Sequence, residues 1–138
     1  MEAGVLDPDL PHRVLSAALS VHERLGPGLA RTAYEECLCL ELDELGVAFE
    51  RGTDLRFAYR GRRVDAAARL DVVVEERLLV LVAAQDAVGT VDVARLESLL
   101  RLGGFRDGLL VNFNVTTLRK GVHRVKMKRR GEADPRAV

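Results

Sequence analysis

The sequence predicts an α+β (α/β-like) domain: a mixed central β-sheet flanked by helices. Three observations carry this. Apolar residues recur at helical spacing twice before Gly46. From Val47 to Ala84 the period shortens to strand-like runs. A third helical stretch then separates those runs from two further strands. Helices and strands grouped in this order call for a sheet with helices packed on it.

Helix one is expected from about Pro11 to Leu25, with Asp9 or Leu10 at its cap and Pro11 in its first turn, where a missing N–H costs nothing. Val14, Ala18, Val21 and Leu25 form its apolar face, and Gly26-Pro27-Gly28 stops it. Helix two runs from about Ala30 or Arg31 to Leu45, with Tyr34, Leu38, Leu42 and Leu45 on one face and Gly46 as the stop. Short strands are expected at Val47–Arg51, Leu55–Tyr59, Arg62–Ala66, Leu70–Val74 and Leu78–Ala84. Turn signals at Gly52-Thr53 and Arg60-Gly61 and the charged turn Glu75-Glu76-Arg77 separate them. Leu78–Ala84 is unbroken apolar sequence, which places it in the middle of the sheet. A third helix over Val91–Leu102 ends at Gly103-Gly104 and is followed by strands at Gly108–Phe113 and Val122–Lys128. Residues 1–10 read as a flexible lead-in, 11–130 as a single domain and 131–138 as a flexible tail.

Composition narrows the function classes. With 138 residues the chain is large enough for one real core. Its longest apolar run is far short of the ~20 residues that span a bilayer, and no secretory leader pattern opens it, so no membrane partner and a cytoplasmic location are expected. Cys37 and Cys39 would project about 200° apart on a helix, which disfavours a mutual bridge or shared metal ligation; buried thiols are expected. His12, His22 and His123 are scattered without ligands at zinc spacing. The formal charge is zero, but Arg119, Lys120, Arg124, Lys126, Lys128, Arg129 and Arg130 form a basic strip. The other residues carry 14 basic against 21 acidic groups, a net of −7. A neutral total argues against a general nucleic-acid binder, while the strip keeps phosphate contact open. The competing reading of that strip is a half-buried edge strand whose lysines discourage stray pairing. Glu35-Glu36 and Glu75-Glu76 read as solvated surface.

Read together, Gly26-Pro27-Gly28-Leu29, Tyr34-Glu35-Glu36, Leu70-Asp71, Gly89–Leu102 and Gly108–Phe113 resemble the GxxExxY proteins, a small bacterial branch of the PD-(D/E)XK nuclease-like superfamily. The resemblance runs from about Arg13 to about Arg129 and implies a restriction-endonuclease-like core. Where such proteins read GPGLLESVYEEAL, this chain has GPGLARTAYEECL, so the family glutamate falls on Arg31 while the tyrosine is kept as Tyr34. Where they read DLLVEDKVIVELKAV, this chain has DVVVEERLLVLVAAQ: the aspartate is kept as Asp71, the E-x-K glutamate falls on Leu81 and the lysine on Ala83. In the following helix the family glutamine falls on Arg95 and its tyrosine on Leu99.

These substitutions decide the chemistry expected. A hard divalent ion takes oxygen ligands, and metal-assisted hydrolysis needs that ion to activate water and offset phosphate charge. Strand alternation sets residues 81 and 83 on one face near Asp71, a face offering one carboxylate and two hydrocarbon side chains. The resemblance therefore implies a pseudoenzyme with a degenerate site at Arg31, Asp71, Leu81, Ala83 and Arg95, no catalytic residue, no metal and no cofactor. Arg31 and Arg95 either converge on Asp71 as an Arg–Asp–Arg cluster, offsetting its burial, or extend their guanidinium groups to solvent. A displaced metal site at Asp71, Asp86 and Asp92 is the remaining route to activity. The leading expectation is a self-assembling structural or protein-interaction module, a homo-oligomer partnered by itself. The alternative is a non-hydrolytic nucleic-acid binder using Arg31, Arg95 and the strip from Arg119 to Arg130.

Overall fold

A computed structural model describes residues 9–127, apart from the side chains of residues 66 and 67. In chain order the elements are α1 (Leu10–Leu25), α2 (Arg31–Glu44), β1 (Phe49–Tyr59), β2 (Arg62–Val74), β3 (Leu78–Ala83), α3 (Thr90–Gly103), β4 (Asp107–Asn112), a short 3-10 turn (Leu118–Gly121) and β5 (Val122–Lys126). The five strands lie in the order β1-β2-β3-β4-β5. Only β3 and β4 run parallel, joined by the α3 crossover; the other neighbours are antiparallel. The mixed sheet and flanking helices match the fold class read from the sequence.

The apolar periods determine two core layers. Val14, Ala18 and Val21 of α1 and Tyr34, Leu38 and Leu42 of α2 pack on Val72, Val74, Leu78, Val80, Val82, Leu109 and Val111. On the opposite face Leu96, Leu99 and Leu100 of α3 pack on Val73, Leu79, Leu81, Ala83 and Leu110. Every residue of β3 is buried, because helices cover both sides of it. The domain starts one residue earlier than expected: Leu10, assigned to the lead-in, opens α1 and is buried in the core. Leu45, expected on the apolar face of α2, is exposed just past the end of that helix.

The meander differs more. Five short strands were expected between Val47 and Ala84; two long ones, β1 and β2, and the short β3 are present. Arg60 and Gly61, both at positive φ, do make the two-residue hairpin turn between Tyr59 and Arg62. Gly52, by contrast, does not turn the chain. It takes φ +71° inside β1, and the register with β2 is kept on both sides of it, from Arg51↔Val72 to Thr53↔Leu70. A single register shift between Leu55 and Phe57 absorbs the other irregularity. This strand is mostly exposed, so no buried alternation marks its continuity in sequence. β5 is an edge strand, and Val122 packs with the first core layer while Val125 and Met127 pack with the second. Lys128, Arg129 and Arg130 and the tail 131–138 lie outside the described residues, as do residues 1–8 of the lead-in.

Candidate functional site

The site forms where β2 and β3 stop pairing. Their ladder joins Val74 to Leu78, Val73 to Leu79 and Val72 to Val80, and goes no further. One step beyond, Asp71 fills the gap: its Oδ2 accepts the Val82 amide at 2.9 Å. Extending the register sets Asp71 opposite Leu81. Leu81 and Ala83 are buried among Leu96, Leu99 and Leu100, so neither offers a polar atom to the gap.

Helix α2 brings the second carboxylate. Its start is pinned by Tyr34, whose hydroxyl donates to the Gly26 carbonyl (2.6 Å) and accepts the Leu29 amide (3.0 Å). The Tyr34 ring stacks on Phe113 with centroids 4.7 Å apart. The turn is tied down again by Gly28, whose amide donates to Asn114 Oδ1. With the helix so placed, Arg31 and Glu35, four residues apart, project together toward Asp71.

Glu35 was expected at the surface. It is instead fully buried, which corrects that reading. Three guanidinium groups explain how a carboxylate can sit there. Arg69 reaches both of its oxygens at 2.9 and 2.8 Å, Arg51 donates to Oε2 at 2.7 Å and Arg31 to Oε1 at 2.7 Å. Burial alone would raise the Glu35 carboxyl, but the hydrogen bonds from Arg69, Arg51 and Arg31 outweigh it and hold it at about 2. Arg69 also donates to Asp71 Oδ1 at 2.7 Å, so one side chain bridges both carboxylates. Its own ionisation is pushed upward, first by the hydrogen bond to Glu35. Each arginine keeps more than a third of its side-chain surface in water, which screens the individual pairs.

The arginine cluster is therefore built differently from the one anticipated. Arg31 does approach Asp71, at 3.6 Å from Oδ2. Arg95 does not: it is exposed and makes no ion pair or hydrogen bond among the described residues. Arg69 and Arg51 take its place, and neither was singled out from the sequence. The available signals were local: Arg69 and Asp71 alternate onto one face of a strand, and Arg31 and Glu35 are a turn apart on a helix. Glycine at position 52 leaves room for the bridge, since a Cβ there would lie 3.2 Å from the Arg69 guanidinium.

Beside this cluster opens a cleft of about 230 Å³ lined by Arg31, Arg95, Gln85, Asp92, Ala83 and neighbouring backbone. Asn112, buried, braces its floor: it accepts the Gln85 amide at 3.0 Å and donates to the Gln85 carbonyl at 2.9 Å. Asp92 caps α3, its Oδ2 accepting the Gly89 amide (2.8 Å) and Gln85 Nε2 (2.9 Å). Asp86 accepts from Asn114 Nδ2 at 3.3 Å. A larger hollow of about 510 Å³ between β1 and the end of α3 touches none of Arg31, Asp71, Leu81, Ala83 and Arg95.

The donors do not suit the divalent ion that a PD-(D/E)XK core implies. Both Asp71 oxygens and both Glu35 oxygens are bound to N–H groups, and guanidinium charge stands beside them. Among the described residues no group of three His, Cys, Asp or Glu side chains is arranged to hold a metal, the trio Asp71, Asp86 and Asp92 included. Of the basic strip, Arg124 is paired with Asp107 at 3.2 and 3.0 Å, while Arg119, Lys120 and Lys126 are exposed. Burial pushes the Cys39 thiol up to about 11, and both cysteines are free.

No helix among the described residues is long and apolar enough to cross a membrane. Comparison with curated proteins and with solved structures returns no match. The family model for the PD-(D/E)XK nuclease superfamily matches residues 8–125, which span every helix and all but the last residue of β5. With that match over most of its length, and with an aspartate lodged where two core strands part, the chain belongs to the PD-(D/E)XK nuclease superfamily.

Proposed function

We propose that this protein is a catalytically silent member of the superfamily, a structural or protein-interaction module that self-assembles into a homo-oligomer. One observation carries the silence: arginines occupy the oxygens of Glu35 and Asp71, while Leu81 and Ala83 put hydrocarbon where a ligand and a cation would be needed. A cation added to that cluster would meet guanidinium charge before it met a free oxygen. Self-association draws support from the open sheet. β1 is an 11-residue edge strand, mostly exposed, and presents unpaired backbone groups. Exposed Leu40, Tyr59 and Val91 add apolar surface, and a formal charge of zero lessens repulsion between copies. Light scattering at several concentrations tests assembly; a monomer throughout would refute it. A nuclease assay with Mg²⁺ and Mn²⁺ tests silence, and cleavage abolished both by chelator and by Asp71→Asn would overturn it.

A second reading, non-hydrolytic nucleic-acid binding, is favoured by the unpaired, exposed Arg95 beside Arg31 and by the exposed members of the strip. Binding of this kind weakens steeply with salt, which a gel shift at increasing salt would register.

A further inference from the structure

We infer that the cleft between Arg31 and Arg95 is an anion site that takes a single phosphate group, held by guanidinium donors and read without regard to any attached base. The inference rests on the hydrolytically silent reading of this site and deepens the binding alternative. Five observations converge on it. Two arginines line one cleft, from the start of α2 and the middle of α3, and guanidinium forks match the oxygens of a phosphate. Arg95 has no partner among the described residues, so its donors are available. The only carboxylate in the lining, Asp92, has one oxygen committed to Gly89 and Gln85. Arg31 is held in place from behind by Glu35 and Asp71, so it is oriented before a ligand arrives. At about 230 Å³, the cleft has room for roughly seven waters at ~30 Å³ each. That is ample for a phosphate with part of its hydration shell.

The chemistry of the walls also says what is not read. No aromatic side chain lines the cleft, so no stacking platform exists for a base. Contacts of this kind position a phosphate and carry no sequence information. The two sources, a free phosphate and a phosphate on a nucleic-acid strand, share this chemistry and are separated by experiment.

The test follows the arginine side-chain N–H signals of the labelled 138-residue chain by NMR during titration with inorganic phosphate. In parallel, fluorescence anisotropy measures binding of an oligonucleotide with and without a 5′-phosphate. Arg95→Ala and Arg95→Lys are compared with the wild type, since this exposed side chain makes no ion pair or hydrogen bond among the described residues. The expected result is a saturable Arg95 shift, affinity lowered about tenfold or more in Arg95→Ala, and partial retention in Arg95→Lys. A response to inorganic phosphate alone assigns the site to the free ion. Response to the oligonucleotide assigns it to the strand, and preference for the phosphorylated end to the terminus. No response to either, or equal binding by wild type and Arg95→Ala, overturns the proposal. Metal-dependent cleavage of the oligonucleotide would instead sink the silent reading, a result distinct from loss of phosphate binding.

Discussion

Glu35 is the residue on which the site turns. A fully buried carboxylate survives because three guanidinium groups converge on it. A carboxyl held near 2 instead of 4.5 corresponds to roughly 3 kcal/mol at ~1.4 kcal/mol per unit, an upper bound because the arginines are partly hydrated. Glu35→Gln should therefore lower stability by about 2–3 kcal/mol at neutral pH in urea unfolding, leaving Arg51 without its counter-charge and Arg69 with Asp71 alone. The pH dependence has a definite sign. With the folded value depressed, the Glu35 contribution is complete above about 4.5 and is lost as pH falls toward 2. Unfolding free energies measured between pH 5 and pH 2, as test conditions, should fall more steeply for the wild type than for Glu35→Gln; parallel curves would contradict the assignment. Cys39 works in the other direction: its raised value makes folding favour the thiol, a contribution kept below about 9 and lost as pH rises through about 11.

At the scale of elements, β3 is hydrocarbon on both faces. Leu81 is nearly inaccessible and packs under α3, so it is part of the core that holds the helix to the sheet. Leu81→Glu should cost about 3 kcal/mol or more in thermal or chemical unfolding, because a carboxylate there would be buried among Leu96, Leu99 and Leu100. Recovery of that loss by added Mg²⁺ would show that the site can still be rebuilt. The link into β5 is tested at Gly121: a Cβ there would collide with the Asn112 carbonyl, a backbone atom that cannot move aside. Gly121→Ala should displace β5 from β4 and lower the melting temperature by several degrees. An unchanged melting temperature would mean that β5 is not seated as described.

For the whole molecule, the arrangement makes metal dependence the decisive property. A divalent ion at 100 times its dissociation constant would stabilise the fold by ~2.7 kcal/mol. Millimolar Mg²⁺ or Mn²⁺ should leave the melting temperature unmoved, since arginines already neutralise the two site carboxylates. A rise that vanishes in Asp71→Asn would refute this.

The sequence by itself determined the helices, the buried central strand and the arginine, leucine and alanine side chains at residues 31, 81 and 83. These depend on period, on glycine stops and on side-chain type, all of which are local. It missed the continuity of β1 because an exposed strand needs no alternation, and Gly52 imitates a turn while remaining in register. Glu35 was misread for a related reason: an acidic pair on a helix resembles surface until its neighbours in space are known. Only the tertiary structure could decide that Arg51 and Arg69, from two strands, close on a glutamate from a helix while Arg95 stays open to the cleft. Whether a charge is buried or solvated depends on groups distant along the chain, and their meeting is fixed by strand register and helix packing, not by spacing in sequence.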